Sequence, residues 1–387
     1  MASALPETRP RTASAGVRLS GLSWAHFLND GAANYLPGIL PALLIQMNLS
    51  VALAGTIMAA LLVGQGLQPF FGLLADRIGG RVMVFAGLLG SSLGGALISV
   101  VDGPVFLIGV LVLIGISNSL FHPQALAAVR RLSAARQGTA MSYFLVGGEI
   151  GRGVWPLLAS WVVVSWGLGA LWILALPAII TVPWLLRWAP SLPARAVGQA
   201  PIEWRRHAGP LSLLVGFCAL RALMIFCVIT FVPVIWAQAG GSLTAGASFI
   251  TVLMVVGIVG NLAGGRLSDH YGTRPILVGA MVASCLLMLA FLQLSGVWLW
   301  LVLALLGIAL FATLPLTIVV AQDMLPENRS FGSGLALGLA NALGAVGVMA
   351  LGPVAQVWGA SAPLWVAAGG GAVAVVLALV LPNHRPQ

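Results

Sequence analysis

Lysine is absent from this 387-residue chain, so its 18 basic side chains are all arginine. That absence carries no functional weight by itself. The scarcity of charge does: Asp, Glu, Lys and Arg make up 7% of the residues, against ~25% in an ordinary soluble domain, and that class is excluded. Cysteine is also scarce. Cys218, Cys227 and Cys285 all fall in apolar runs, with no close-spaced metal pattern and no pair on an exposed loop, so they read as small buried hydrophobes. No nucleophile stands beside a base and no helix carries a metal-binding motif, so no enzyme, cofactor or resident metal is expected. Residues 1–20 lack a short apolar core followed by a small-residue cleavage site, and no removable signal peptide is expected.

What the chain has is hydrophobic length. Apolar residues make up 60% of it and the mean hydropathy is +1.04, which points to an all-α membrane protein. A helix crossing the hydrocarbon takes ~20 residues. Twelve spans are predicted, at 20–46, 52–74, 82–101, 105–128, 138–164, 170–188, 210–238, 244–265, 275–295, 297–320, 332–356 and 361–381. The longest polar interruption, 189–209, holds Pro190, Pro193, Arg195, Pro201, Glu203, Arg205 and Arg206. It reads as a cytoplasmic linker between a six-helix bundle over 20–188 and a second over 210–381, with cytoplasmic tails at 1–19 and 382–387.

Orientation follows from the arginines. With both termini in the cytoplasm, sixteen of them fall on that side: Arg9, Arg11, Arg18, Arg77, Arg81, Arg130, Arg131, Arg136, Arg187, Arg195, Arg205, Arg206, Arg266, Arg274, Arg329 and Arg385. The opposite side receives none, the asymmetry that membrane insertion selects. The net charge of +9 is thus spread over short loops, as topology alone produces, and no nucleic-acid partner is expected. Trp161, Trp166, Trp172, Trp236, Trp298, Trp300, Trp358 and Trp365 cluster where spans should meet the outer interface, as an aromatic belt does.

The two-half division has a second support. The turn Gly72-Leu-Leu-Ala-Asp76-Arg77-Ile-Gly79-Gly-Arg81 recurs as Gly265-Arg-Leu-Ser-Asp269-His270-Tyr-Gly272-Thr-Arg274, with Gly, Asp, Gly and Arg each offset by 193 residues. The same offset carries Arg136 onto Arg329. At this motif the chain resembles the major facilitator superfamily, whose signature loop joins helices two and three in each half. That resemblance extends from about residue 20 to 381. It implies two six-helix bundles related by an axis along the membrane normal, a central cavity and rocking alternating access. Glycine in the loop permits close helix approach, Asp sits near a helix N-terminus and Arg can pair across the cytoplasmic interface. Gly72, Asp76, Arg77, Arg81, Arg136, Asp269, Arg274 and Arg329 are therefore expected to act in gating. The alternative is a turn held only for topology.

Polar groups at membrane depth are costly and mark function or structural pairing. His26, Asp30 and Asn34 recur at steps of four in the first span, with Asn29 beside them, so they share a face. Burial disfavours a charged carboxylate, which makes Asp30 a candidate proton carrier; the alternative is a hydrogen-bond network locking the first helix to its neighbours. In the fifth span Ser142, Glu149 and Arg152 share a face inside the run Gly147-Gly148-Glu149-Ile-Gly151-Arg152-Gly153, ahead of Pro156. If Glu149 and Arg152 pair, an anion that takes over the arginine frees the carboxylate and couples cargo to protons. A static ion pair is the alternative. The fourth span holds Asn118, Ser119 and His122 before Pro123, and the second holds Gln65 and Gln68 before Pro69. His122 is open to a relay, donor or metal role, the first two being preferred. The second half carries Arg221, Asn261 and Asn341 but no acid at mid-depth, Asp323 and Glu327 lying near the loop. Arg221 is expected to face cargo, or else to snorkel or pair internally.

Four strings bring the resemblance closer: His26-Phe-Leu-Asn29-Asp30, Leu67-Gln68-Pro69 leading into Gly72, Ser119-Leu-Phe-His122-Pro123 and Val146-Gly147-Gly148. They resemble the fosmidomycin-resistance family of bacterial exporters. The resemblance implies an inner-membrane exporter driven by proton entry, with His26, Asp30, Gln68 and His122 lining the first-half cavity. The chain departs from that pattern at Glu149 and Arg152, where small or amide residues are expected.

The expectation is a proton-coupled antiporter that exports a small organic anion or zwitterion, such as a phosphonate antibiotic or a metallophore. Asp30, Glu149, His122 and His26 would handle protons. Arg152 and Arg221, with Gln68, Gln65, Asn34 and Asn118, would hold cargo. Its partners are then a small molecule, protons and membrane lipid, and the protein is expected to be a monomer. The alternatives are a ferroportin-like divalent metal exporter using His26, Asp30 and His122, and a proton-coupled importer of an organic anion.

Overall fold

Backbone in hydrocarbon must satisfy its hydrogen bonds within its own segment, and among the described residues every regular element is helical. The structure, a computed structural model, describes residues 14–68, 70, 71, 74, 81–132, 137–188, 204–325, 329–381 and 383. The first span, α1, is split into Ala15–Asn34 and Leu36–Gln46. Pro37 lies in the first turn of the second segment, and a proline there supplies no N–H to the preceding turn. Then come α2 (Ala52–Gln65), α3 (Arg81–Leu97), α4 (Pro104–Leu132) and α5 (Gln137–Trp166). α6 opens with tight turns over Leu168–Ala175 and continues as Leu176–Trp188.

The second half repeats the count. It consists of α7 (Trp204–Gln238), α8 (Leu243–Tyr271), α9 (Thr273–Phe291) and α10 (Trp298–Ala312, then Leu314–Met324). α11 runs from Arg329–Gly334 through a wide turn, Leu335–Leu339, into Ala340–Ala350 and Gly352–Trp358, and α12 is Ala362–Val380. Among the described residues nine helices are long and apolar enough to cross a membrane on their own. The other three spans are α1, split at Tyr35, α2, described as a shorter apolar helix, and α5, which carries Glu149 and Arg152. Twelve spans result, in two six-helix bundles. α7 begins at Trp204, inside the stretch expected as linker, and 189–203 lie outside the described residues.

Glycine sets how closely α1 and α5 approach. A methyl group on Gly147 would strike the Ser23 carbonyl, one on Gly151 the Phe27 carbonyl, and one on Gly148 the His26 ring. Small residues let two helices meet backbone to backbone, the packing that replaces the hydrophobic effect in lipid. This contact brings Asp30 opposite Arg152. The two bundles meet through α5 against α8 and α2 against α11, with the second segment of α1 against α7 and α8. The first two pairings exchange when each helix is advanced by six, as the pseudo-two-fold requires.

The bundles are closed at the end opposite the chain termini. There Gly55 of α2 abuts the Val348 carbonyl, Gly352 of α11 abuts the Ala52 carbonyl, and Ala52 N donates to Gln356 Oε1 at 3.3 Å. Thr251 Oγ1 of α8 donates to Gly153 O of α5 at 2.7 Å. Trp161, Trp166, Trp172, Trp298, Trp358 and Trp365 are exposed near this same end. Two of the expected belt tryptophans depart from the pattern. Trp236 and Trp300 pack on Phe249, with ring centroids 5.1 and 4.3 Å away, and Trp300 Nε1 donates to Ser248 Oγ at 2.8 Å. The apolar packing offered by Phe249 outweighs the interface for these two rings.

Candidate functional site

Asp30 is the centre of the buried polar groups. It sits on the first segment of α1, 1% exposed, and receives partners from three helices. Asn29 Nδ2 and Asn118 Nδ2 donate to its Oδ1 at 3.1 and 3.2 Å. His122 Nε2 of α4 lies 3.2 Å from Oδ1, and His26 Nε2, one turn back on α1, lies 3.2 Å from Oδ2. Arg152 Nε of α5 stands 3.1 Å from Oδ2 as an ion pair.

Arg152 holds a second acid. Its Nη2 donates to Glu149 Oε1 at 3.1 Å, one turn earlier on α5. One guanidinium therefore joins two carboxylates, an arrangement that its forked set of donors suits. Glu149 is buried, and its other oxygen, Oε2, has no hydrogen-bond partner among the described residues. Such a group invites an incoming donor, because an unmade bond in low dielectric is expensive.

Arg152 also faces a void. A cavity of about 20 Å³, the volume one water needs, is lined by Asn34, Pro37, Met58, Leu61, Arg152, Ile229, Ile250 and Met254. These side chains come from α1, α2, α5, α7 and α8, so the void lies between the two bundles. Its apolar walls carry no signal that sequence reading could single out. Asn34 Nδ2 donates to Asp30 O at 2.8 Å and its Oδ1 accepts from Gln65 Nε2 at 3.4 Å, which ties the cavity wall to the carboxylate cluster.

Several sequence-derived candidates fall elsewhere. Asn118, expected at cargo, is buried, and its amide donates to the Asp30 carboxylate across the α1–α4 contact. Arg221 is 2% exposed and does not line the cavity; its Nε lacks any hydrogen-bond partner among the described residues. No hydrogen bond joins Gln68 to the cluster among the described residues. Asp269 is exposed, and Arg274 Nε donates to Leu381 O at 2.8 Å at the end of α12, within its own bundle. Gly72, Asp76, Arg77 and Arg136 lie outside the described residues, as do the side chains of Arg81, Ser142 and Arg329.

The His26, Asp30 and His122 donor atoms lie within 4.8 Å of one another, a spacing that a metal ion can use. Arg152 beside Asp30 Oδ2 opposes that use, since a fixed cation already stands 3.1 Å from the carboxylate.

Comparison with known proteins agrees with this architecture. The family model described as Major Facilitator Superfamily matches residues 22–335 and, again, 213–387. The chain belongs to the Major Facilitator Superfamily. It is a membrane transporter of small molecules. It is 27% identical over 377 residues to the MFS-type transporter YfnC of Bacillus subtilis (strain 168), covering 93% of this chain and 91% of that one. It is 27% identical over 369 residues to the Fosmidomycin resistance protein of Escherichia coli (strain K12), covering 90% and 88%. Among solved structures it is similar to the nucleoside transporter NupG, with a TM-score of 0.75 and 15% identity over 95% of this chain and 99% of that one, a likeness of fold.

Proposed function

We propose that this superfamily member is a proton-coupled antiporter that exports a small zwitterion across the bacterial inner membrane, with both termini in the cytoplasm. The observation that carries the reading is the single Arg152 guanidinium held between the Asp30 and Glu149 carboxylates, 3.1 Å from each, on the wall of the cavity between the bundles. The relative named for fosmidomycin resistance, 27% identical, supports the export reading.

The direction of coupling follows from charge balance. A cargo anion on Arg152 leaves the two carboxylates without their cation, and a proton entering with the cargo restores neutrality. That is the stoichiometry of co-transport. Opposed movement requires cargo and proton to exclude one another, because coupling between two ligands is reciprocal. A cationic group on the cargo does this by taking the free Glu149 Oε2, while the anionic group takes Arg152. A zwitterion therefore meets both conditions of antiport. A plain anion meets only the first and favours the second reading, a proton-coupled importer.

In this state the cavity admits about one water, so cargo enters only when the bundles part. Since the end opposite the termini is closed by Gly55, Gly352 and Thr251, entry is from the terminal, cytoplasmic side. The test is flux in proteoliposomes with 2-aminoethylphosphonate against methylphosphonate. Antiport of the first and weak or absent exchange of the second is expected; equal transport of both with protons moving alongside refutes the zwitterion reading.

A further inference from the structure

Both cluster histidines are anchored by backbone oxygens. His26 Nδ1 lies 2.8 Å from Phe144 O, and His122 Nδ1 lies 2.9 Å from Asn118 O. A carbonyl only accepts, so each Nδ1 carries a hydrogen. Neutral imidazole has a single N–H, which leaves both Nε2 atoms as bare lone pairs.

Those lone pairs face each other. His26 Nε2 and His122 Nε2 are 3.2 Å apart, and each is 3.2 Å from an oxygen of Asp30. Three acceptors in mutual contact, with no hydrogen among them, repel. Water has little access, because the His26 and Asp30 side chains are 1% and 2% exposed and that of His122 is 14% exposed. A hydrogen on either Nε2 turns the repulsion into a charge-assisted bond.

We infer that the resting protein holds one excess proton on the His26–His122 pair, directed at Asp30, so that the imidazoles and not the carboxylates are the proton's seat. This deepens the proposed coupling, on which it rests for the proton's role but not for its presence. Within the first bundle Asp30, Glu149 and Arg152 carry a net charge of −1, which favours a proton on the adjoining imidazoles; Arg221 of α7, also buried, opposes it from the second bundle. When a cargo cation engages the carboxylates, the Nε2–H bond breaks and the proton passes to water. No other bond changes.

The experiment is nitrogen-15 NMR of the full-length protein in nanodiscs at neutral pH, with labelled histidine and the metal content of the same sample measured. His26→Gln and His122→Gln identify the two rings, and glutamine offers an N–H in place of the protonated ring atom. The expected spectrum shows Nδ1–H on both rings and one hydrogen shared over the two Nε2 atoms, with less than stoichiometric metal and no change on adding a chelator. Two bare Nε2 signals overturn the inference. So does one equivalent of divalent metal whose removal shifts both rings. An intact shared proton in a protein that shows no pH-driven flux leaves this inference standing and removes the coupling mechanism.

Discussion

Arg152 Nε of α5 stands 3.1 Å from Asp30 Oδ2 of α1, an ion pair that ties two helices together beside the interface between bundles. The same guanidinium holds Glu149. Any anion that competes for Arg152 therefore disturbs two buried acids at once, and through Asp30 it reaches His26 and His122. Cargo binding and proton occupancy thus meet at one side chain.

Removing that side chain strands both carboxylates. Arg152→Ala is expected to cost ~2–5 kcal/mol of stability, the range for breaking a buried charge pair. The lower part of the range applies because the Arg152 side chain is 33% exposed. Thermal unfolding of the purified protein in detergent measures this. Arg152→Ala should also weaken an anionic cargo far more than a neutral dye; equal losses mark the arginine as structural.

The glycine contact between α1 and α5 predicts a different failure. Gly151→Val places a branched side chain against the Phe27 carbonyl, and overpacking of this kind costs ~1–3 kcal/mol. The helices separate and the Asp30–Arg152 pair lengthens. Gly265→Ala, whose added methyl meets open space, should not lower the melting temperature in the same assay.

Closure at the end opposite the termini is testable by cross-linking. Ala52→Cys with Gly352→Cys joins α2 to α11 where they already touch. Oxidation should stop transport and reduction should restore it, because alternating access needs this end to open. Transport that continues with the link formed contradicts the rocking motion. Cys218 and Cys227 are buried and remain outside the reaction.

Orientation has its own measurement. A fluorescent protein fused after Gln387 should fold and glow in whole cells, and an alkaline phosphatase fused at the same place should be inactive. The reverse pattern would place the termini outside and invert the direction of transport.

Much of this was legible in the sequence, for physical reasons. Hydropathy and the repeat at Asp76 and Asp269 gave twelve spans in two halves, because hydrocarbon thickness fixes span length. His26 and Asp30, and Glu149 and Arg152, were readable as pairs because a helix puts residues three and four apart on one face. The Asp30 contacts with Arg152, His122 and Asn118 were not readable. They depend on which helices adjoin, and that is decided by glycines such as Gly147 and Gly151 whose partners are backbone carbonyls. The burial of Arg221 and the inward turn of Trp236 and Trp300 likewise come from packing between spans.

Cargo and proton are proposed to replace one another around Arg152. This exchange is tested most directly by loading proteoliposomes with a pH-sensitive dye and adding 2-aminoethylphosphonate to one side, using the wild-type protein and Glu149→Gln. Proton movement opposite to cargo is expected in the wild type, and in the variant at least a ~10-fold smaller pH-driven flux with some binding retained. Protons moving with the cargo, or a variant as active as the wild type, would contradict it.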